Sequence, residues 1–321
     1  VLVRLTGDHF DFSKALGKGE DVVFRKTNGT VLPHEIERWD SAGGVAELWV
    51  KADTVYGNDS AHFIELTCGE NTGISGSNPP AVFDTAGGFR GVWHLAGNTG
   101  ADSDATADRF NGVRYGNPQQ VAGVIGPAQR FNGVNDYIDM GNVLNPGNSS
   151  FTVSAWIKRA SLSNIVTILC KTNGGNPGAT IGPNNYGWGF IISEINYLRI
   201  YVATGGMNWG DQGSYNMAST IQITDLTAWH HLAAVVDRSN NQRCRLYIDG
   251  VDVSGITQGT LSTVGVINNT LPARIGIEAD GSYPFTGSLD EIRISFAARS
   301  ADWLRLCYMN QKAQDQLVIF R

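Results

Sequence analysis

Aspartates carry the first chemistry this chain offers: of its 30 acidic residues 21 are Asp, and Asp102, Asp104 and Asp108 crowd one polar stretch. A Ca²⁺ ion takes roughly six to eight oxygens from carboxylates, carbonyls and water. Asp290 lies far along the chain in Phe285–Ser295, where apolar and polar residues alternate. That alternation predicts a half-buried strand with Asp290 in register with Ile292 and Ile294. A carboxylate on such a face must be hydrogen-bonded, paired or metal-bound. The expectation is one structural Ca²⁺ held by Asp102, Asp104, Asp108 and Asp290. The alternative is that these Asp residues cap turns through their own backbone.

Aromatic residues in loops are the second lead. Tyr186 and Trp188 lie in a Gly- and Asn-rich run, and Trp209 and Tyr215 lie in another, beside Asn208 and Gln212. A ring can stack on a sugar while amides bond its hydroxyls, and glycine lets the backbone come close. Trp209 is the expected platform, with Tyr186, Trp188, Tyr215 and Asn208 beside it. The competing reading is that the rings only pack their own loops.

Catalytic patterns are sparse. Glu35 and Glu37 share one face of a strand-like run, opposite His34, Ile36 and Arg38, and read as a solvated face. Beyond residue 83 the glutamates are Glu194, Glu278 and Glu291. A retaining glycosidase needs two carboxylates about 5 Å apart, and no Glu-x-Asp-x-Glu run offers them. His230 and His231 are adjacent, so a strand sends them to opposite faces. His94 reads as a satisfied structural histidine. No Gly-x-Ser-x-Gly, His-Glu-x-x-His or phosphate loop is present.

The elements that must position these groups are strands. Glycine is 39 of 321 residues and charged residues are 17%; against usual values of about 7% and about 25%, that composition suits turns and strands. The expected fold class is all-β. A net charge of −6 without a basic cluster lacks the electrostatic footprint of a nucleic-acid binder. No apolar run approaches the roughly 18 residues that cross a bilayer. The first residue is Val1, so the chain is read as a piece of a longer protein. Cys68, Cys170 and Cys244 alternate with apolar residues, and Cys307 follows Trp303 by one helical turn, so all four are expected as free thiols.

Residues 1–69 divide into short strands around the turn at Asn28 and Gly29. Phe24, Arg25, Gly29, Leu32–Glu37, Trp39–Asp40 and Leu48–Lys51 resemble a bacterial domain of unknown function that often precedes a laminin G-like domain in surface or envelope proteins. Residues 70–82 are polar and rich in Gly and Pro and read as a linker. From residue 83 onward, Arg130–Gly141, Phe151–Lys158, Trp229–Asp237, Arg245–Gly250 and Phe285–Ser295 resemble, in order, the strand motifs of laminin G-like, concanavalin A-type domains. The Asp102–Gly112 loop resembles the loop that follows the first strand there, near a structural calcium, but lacks its middle glycine.

The resemblance implies a small antiparallel β-sandwich followed by a concanavalin A-like jelly roll over 83–321. The tail adds a short helix, with Trp303, Leu306 and Cys307 on one face, and a last strand at Leu317–Phe320. The expected function is a non-catalytic carbohydrate-binding or adhesion module of an extracellular or envelope protein. Its partner would be a glycan, with no nucleic acid and no membrane insertion. A spacer or protein-interaction module is the alternative, and a glycan-cleaving enzyme a more distant one.

Overall fold

The computed structural model describes residues 1–321 apart from 57–60, 70–75, 99, 163, 173–185, 205–211, 240–241 and 316. Among the described residues the strands form four sheets, all with antiparallel pairings. Two three-stranded sheets make the expected small sandwich. One joins Leu2–Thr6, Val45–Val50 and His34–Asp40; the other joins Val31–Leu32, Val23–Lys26 and Ile64–Thr67. Its core is built by period-two alternation: Val3, Leu5, Ala46, Leu48 and Val50 face Phe24 and Leu32.

The opposite face of the first sheet is buried as well. Leu2 and Trp49 join Val82, Phe83, Val92, Ala105 and Ile125 in a second apolar cluster. Val82 closes the short helix Pro79–Val82, inside the stretch expected as a linker. These 70–82 residues therefore include packed structure, anchored by the hydrogen bond from Asn78 to the His34 carbonyl (2.7 Å).

The jelly roll consists of an eight-stranded front sheet and a nine-stranded back sheet around one apolar core. The front sheet places Thr286–Ser295 between Pro127–Asn132 and Phe151–Arg159, followed by His230–Asp237 and Arg243–Ile248. Phe89–Trp93 also pairs with Thr286–Ser295. The back sheet runs through Ser214–Gln222, Tyr197–Thr204, Tyr186–Ile192 and Val166–Lys171 to Gly112–Tyr115.

One irregularity corrects the sequence reading. Arg293 lies opposite Ser154 and Asp290 opposite Trp156, so two residues, Glu291 and Ile292, stand against Ala155 alone. Glu291 takes the left-handed conformation (φ 49°). Such a β-bulge shifts the alternation by one position. Leu289, Ile292 and Ile294 all reach the jelly-roll core, whereas Asp290, Glu291 and Arg293 contact the groups on the sheet's outer side. Asp290 is not in register with the two isoleucines.

The helix Ala301–Gln311 is capped by Ser300, whose hydroxyl accepts from the Trp303 amide. It buries Leu304 against Ala233, Val235 and Tyr247, while Trp303 is 42% exposed, so the buried face is not the one expected. Leu317–Phe320 forms no strand. Cys170 and Cys244 are buried, Cys68 and Cys307 half-buried, and all four are free. Thiol titration after unfolding without reductant should therefore count four; two or fewer would contradict this packing.

Candidate functional site

The residues first considered for a metal are each engaged inside the protein. Both Asp102 oxygens accept from the Arg114 guanidinium (2.5 and 2.6 Å). Asp104 accepts from the amides of Val92, Thr106 and Phe110 and from the Thr106 hydroxyl. Asp108 pairs with Arg90 (3.3 Å). One oxygen of Asp290 accepts from the amides of Val124 and Ile125, and burial, with Glu291 beside it, pushes this carboxyl well above the usual range. Among the described residues these four do not gather into a cluster of ligand atoms. The donor set does not fit Ca²⁺; these aspartates tie loops and strands together.

Carboxylates do converge where the small sandwich meets the jelly roll. The Glu35 and Glu37 side chains, expected in solvent, are only 9% and 2% exposed. Both turn toward His94, which follows Phe89–Trp93. The His94 Nδ1 lies 2.5 Å from Glu291 Oε1 and 3.3 Å from Glu37 Oε2, and its Nε2 lies 3.3 Å from Glu35 Oε2. Glu37 also accepts from Trp49 Nε1 (2.5 Å). The other Glu291 oxygen holds Arg293, whose guanidinium lies over the Trp49 ring (4.1 Å) and the Phe83 ring (5.0 Å).

Burial alone would depress the His94 imidazole, but Glu291, Glu37 and Glu35 outweigh it and hold its pKa well above 6.5. Burial would likewise raise Glu291, yet His94 and Arg293 lower it to about 2. Glu37 is pushed well above the ordinary carboxylate range by burial and by Glu291. The tightest pair is an imidazolium facing an ionised Glu291, beside a Glu37 carboxyl that holds its proton more firmly than usual.

Three ligand-type atoms of Glu37, His94 and Glu291 lie within 4.8 Å of one another. Two ligands of a tetrahedral Zn²⁺, each about 2.0 Å from it, would stand about 3.3 Å apart. The 2.5 Å contact is a hydrogen bond instead; Arg293 holds the other Glu291 oxygen and Trp49 donates to Glu37 Oε2, while Glu37 Oε1 has no hydrogen-bond partner. This cluster is an ion network that joins the two units.

The open site lies elsewhere, at one end of the jelly roll. A cleft of about 430 Å³ is lined by Gly133, Asn164, Ile165, Glu194, Tyr283, Pro284 and Thr286, within the usual size of ligand sites. Tyr283 packs on Ile165, Ile191 and Tyr201, and its carbonyl accepts from the Thr167 amide (3.0 Å). Tyr283 (φ 56°), Asn164 (φ 74°) and Gly133 (φ 74°) all adopt left-handed conformations. A side chain at Gly133 would meet Thr286 Oγ1 at 1.9 Å, so glycine is required there. Glu194 is exposed on the turn after Tyr186–Ile192, supported by the Asn196 amide donating to the Ser193 carbonyl (2.8 Å).

The aromatic residues expected to bind sugar divide. Trp188 is fully buried, 5.5 Å from the Phe151 ring, with Nε1 donating to the Leu144 carbonyl. Tyr215 is 7% exposed in the same core. Both calls for the surface are corrected by strand alternation: Trp188, Phe190 and Ile192 share the inward face, as do Tyr215 and Met217. Tyr186 is 41% exposed. Trp209 and Asn208 lie outside the described residues, though Tyr186 pairs with Thr204 and Ser214 with Ala203, so both runs leave the same end of the back sheet. The cleft at the other end escaped the sequence reading. Its one visible signal was Tyr283–Pro284 within a turn-forming run just before a long strand.

Comparison with known families decides the class. The model described as the concanavalin A-like lectin/glucanases superfamily matches residues 132–305, more than half of the chain. The chain belongs to that superfamily. A domain of unknown function, DUF2341, matches residues 18–96 ahead of it, a span that contains Glu35, Glu37 and His94. Among solved structures, the binding domain of Paraclostridial Mosquitocidal Protein 1 gives a TM-score of 0.51 at 15% identity, over 71% of this chain and 53% of that one. Trypanosoma rangeli sialidase, in complex with 2,3-difluorosialic acid, gives 0.51 at 15% identity, over 73% of this chain and 35% of that one. The chain thus spans about half of the first relative and a third of the second; at these identities the likeness is one of fold. Comparison with curated proteins gives no match.

Two measurements check this site. His94 binds its proton more tightly in the folded state, so its stabilisation is complete below about pH 6.5 and is lost as pH rises through its raised folded value. Glu291 acts oppositely, losing its contribution as pH falls from about 4.5 toward about 2. The melting temperature should therefore fall as pH rises above about 6.5, and His94→Gln should flatten that slope. His94→Ala, which removes the imidazolium partner of the buried Glu291, should cost about 3–5 kcal/mol. EDTA should leave the melting temperature unchanged, while Asp104→Ala should cost about 1–3 kcal/mol; an EDTA-induced drop would reinstate a bound cation.

Proposed function

We propose that this chain is a non-catalytic carbohydrate-binding module of a larger extracellular or envelope protein, with the saccharide taken up by the Tyr283 cleft. The observation that carries this reading is the composition of that cleft: an aromatic wall beside Pro284 and Ile165, with Asn164, Glu194 and Thr286 as hydrogen-bonding groups. Concave, largely apolar surfaces with a few directed polar groups suit ring stacking combined with hydroxyl recognition. Membership of a superfamily named for lectins and glucanases supports the ligand class.

The same lining argues for binding over cleavage. A retaining glycosidase needs two carboxylates about 5 Å apart, and Glu194 is the sole acid among the described lining residues. The exposed Tyr186, at the opposite end of the sheet, is a second candidate contact; Trp209 and Asn208 lie outside the described residues. A structural spacer is the competing reading, favoured by the buried junction that makes the small sandwich and the jelly roll one body.

A glycan array with the whole chain tests the proposal. Truncating a ring stacked on a base costs about 1–3 kcal/mol; by analogy, loss of the Tyr283 ring should weaken the best glycan roughly 5- to 150-fold. The same loss on Trp209→Ala, with Tyr283 variants unaffected, would move the site away from the Tyr283 cleft to the run that carries Trp209. No bound glycan at all would favour the spacer.

A further inference from the structure

The charge of the cleft narrows its ligand, an inference that rests on the carbohydrate-binding reading above. Its described lining residues include no Lys, Arg or His, and Glu194 is the one acid among them. Two more carboxylates stand behind the aromatic wall. Glu278 accepts from the Tyr201 hydroxyl (2.8 Å), and Asp280 stabilises the same turn by accepting from the Ser282 amide (2.9 Å). Burial raises the Tyr283 phenol, and Glu278, Asp280 and Glu194 raise it further, so all three act on the ring.

The neighbouring cations lie outside the described lining of the cleft. Arg199, on Tyr197–Thr204, is half-buried outside the lining and interacts with Glu194 itself. Arg159 is 2% exposed, and its guanidinium donates to Asn196 Oδ1 and to the Ile223 carbonyl (both 2.8 Å), beneath the turn. A sugar carboxylate seated against Tyr283 would meet the exposed Glu194 and no cation among the described lining residues, which is penalised at close range. A hydroxyl or an ammonium in the same place would find an acceptor.

We infer that the cleft selects sugars without a carboxylate, with Glu194 favouring those that carry an amine, and that it discriminates against sialic acids and uronates. The neutral ring stacks on Tyr283, Asn164 and Thr286 serve its hydroxyls, and Glu194 accepts from a hydroxyl or an ammonium group.

Calorimetric titration of the whole chain with four probes tests this: lactose, 3′-sialyllactose, chitotetraose and its de-acetylated glucosamine counterpart. Lactose should bind at least tenfold more tightly than 3′-sialyllactose, and the glucosamine tetramer more tightly than chitotetraose. Added salt should erase the second difference, because it screens an exposed pair. Glu194→Gln sits on an exposed turn and should remove the amine preference, bringing the glucosamine tetramer and chitotetraose to about equal affinity. Tyr283→Asn, a residue that tolerates the left-handed backbone, should weaken every probe that binds. Tight binding of 3′-sialyllactose would overturn the charge selection. If sugars bind and both variants match the parent in affinity and melting temperature, the cleft is overturned while carbohydrate binding stands. If none of the four binds but the glycan array finds another neutral or amine-bearing ligand, the same two variants are scored on that ligand. If the array is also blank, both readings fall together.

Discussion

The protein is organised by one buried charge pair, His94 with Glu291, placed where two β units meet. An imidazolium removed from water is costly unless its nitrogens face partners. Here both do, with Glu291 from the long central strand and Glu37 from the small sandwich at Nδ1, and Glu35 from the small sandwich at Nε2. The pair exists because of the bulge at Glu291. Without the extra residue, alternation would carry Glu291 and Ile292 to each other's faces, exposing an apolar side chain at the junction and a charge in the core. The apolar cluster of Leu2, Trp49, Phe83 and Ile125 surrounds the polar centre and keeps water from competing.

That junction makes the two units mechanically one. Leu2 exchanges backbone hydrogen bonds with the Asn310 side chain, and Arg4 donates to the carbonyls of Asn310 and Gln311 at the end of the C-terminal helix. Gln311 in turn accepts from Trp156 of the front sheet (2.8 Å). The first strand, the last helix and the central strand therefore share one interface. These contacts lie on the outer face of the front sheet.

The aspartates show how one residue type serves architecture in several ways. Asp104 gathers three amides and a hydroxyl, Asp102 holds a guanidinium in a fork, and Asp136 receives the amides of Asn117 and Asn132. Loops that lack regular backbone pairing satisfy their donors this way. Their abundance reflects many tight connections between strands, and the carboxylates are consumed locally.

Local pattern determined much of this protein. Period-two alternation located the strands Phe151–Arg159, His230–Asp237 and Arg243–Ile248, and placed the cysteines on apolar faces. Ordered strand motifs were enough to indicate the jelly roll, because a strand's face preference is written in neighbouring residues. The same rule, applied to Tyr186–Ile192 and Ser214–Gln222, would have placed Trp188 and Tyr215 inside; the abundance of glycine drew attention to loops instead. What only the tertiary structure decided has one physical cause. Whether a strand's polar face meets water or another sheet depends on residues distant in the chain. Glu35 and Glu37 carry a solvent-facing pattern, and only the docking of His94 and Glu291 buries them. The cleft arises likewise, from turns at Gly133, Asn164, Glu194 and Tyr283 brought together by strand order alone.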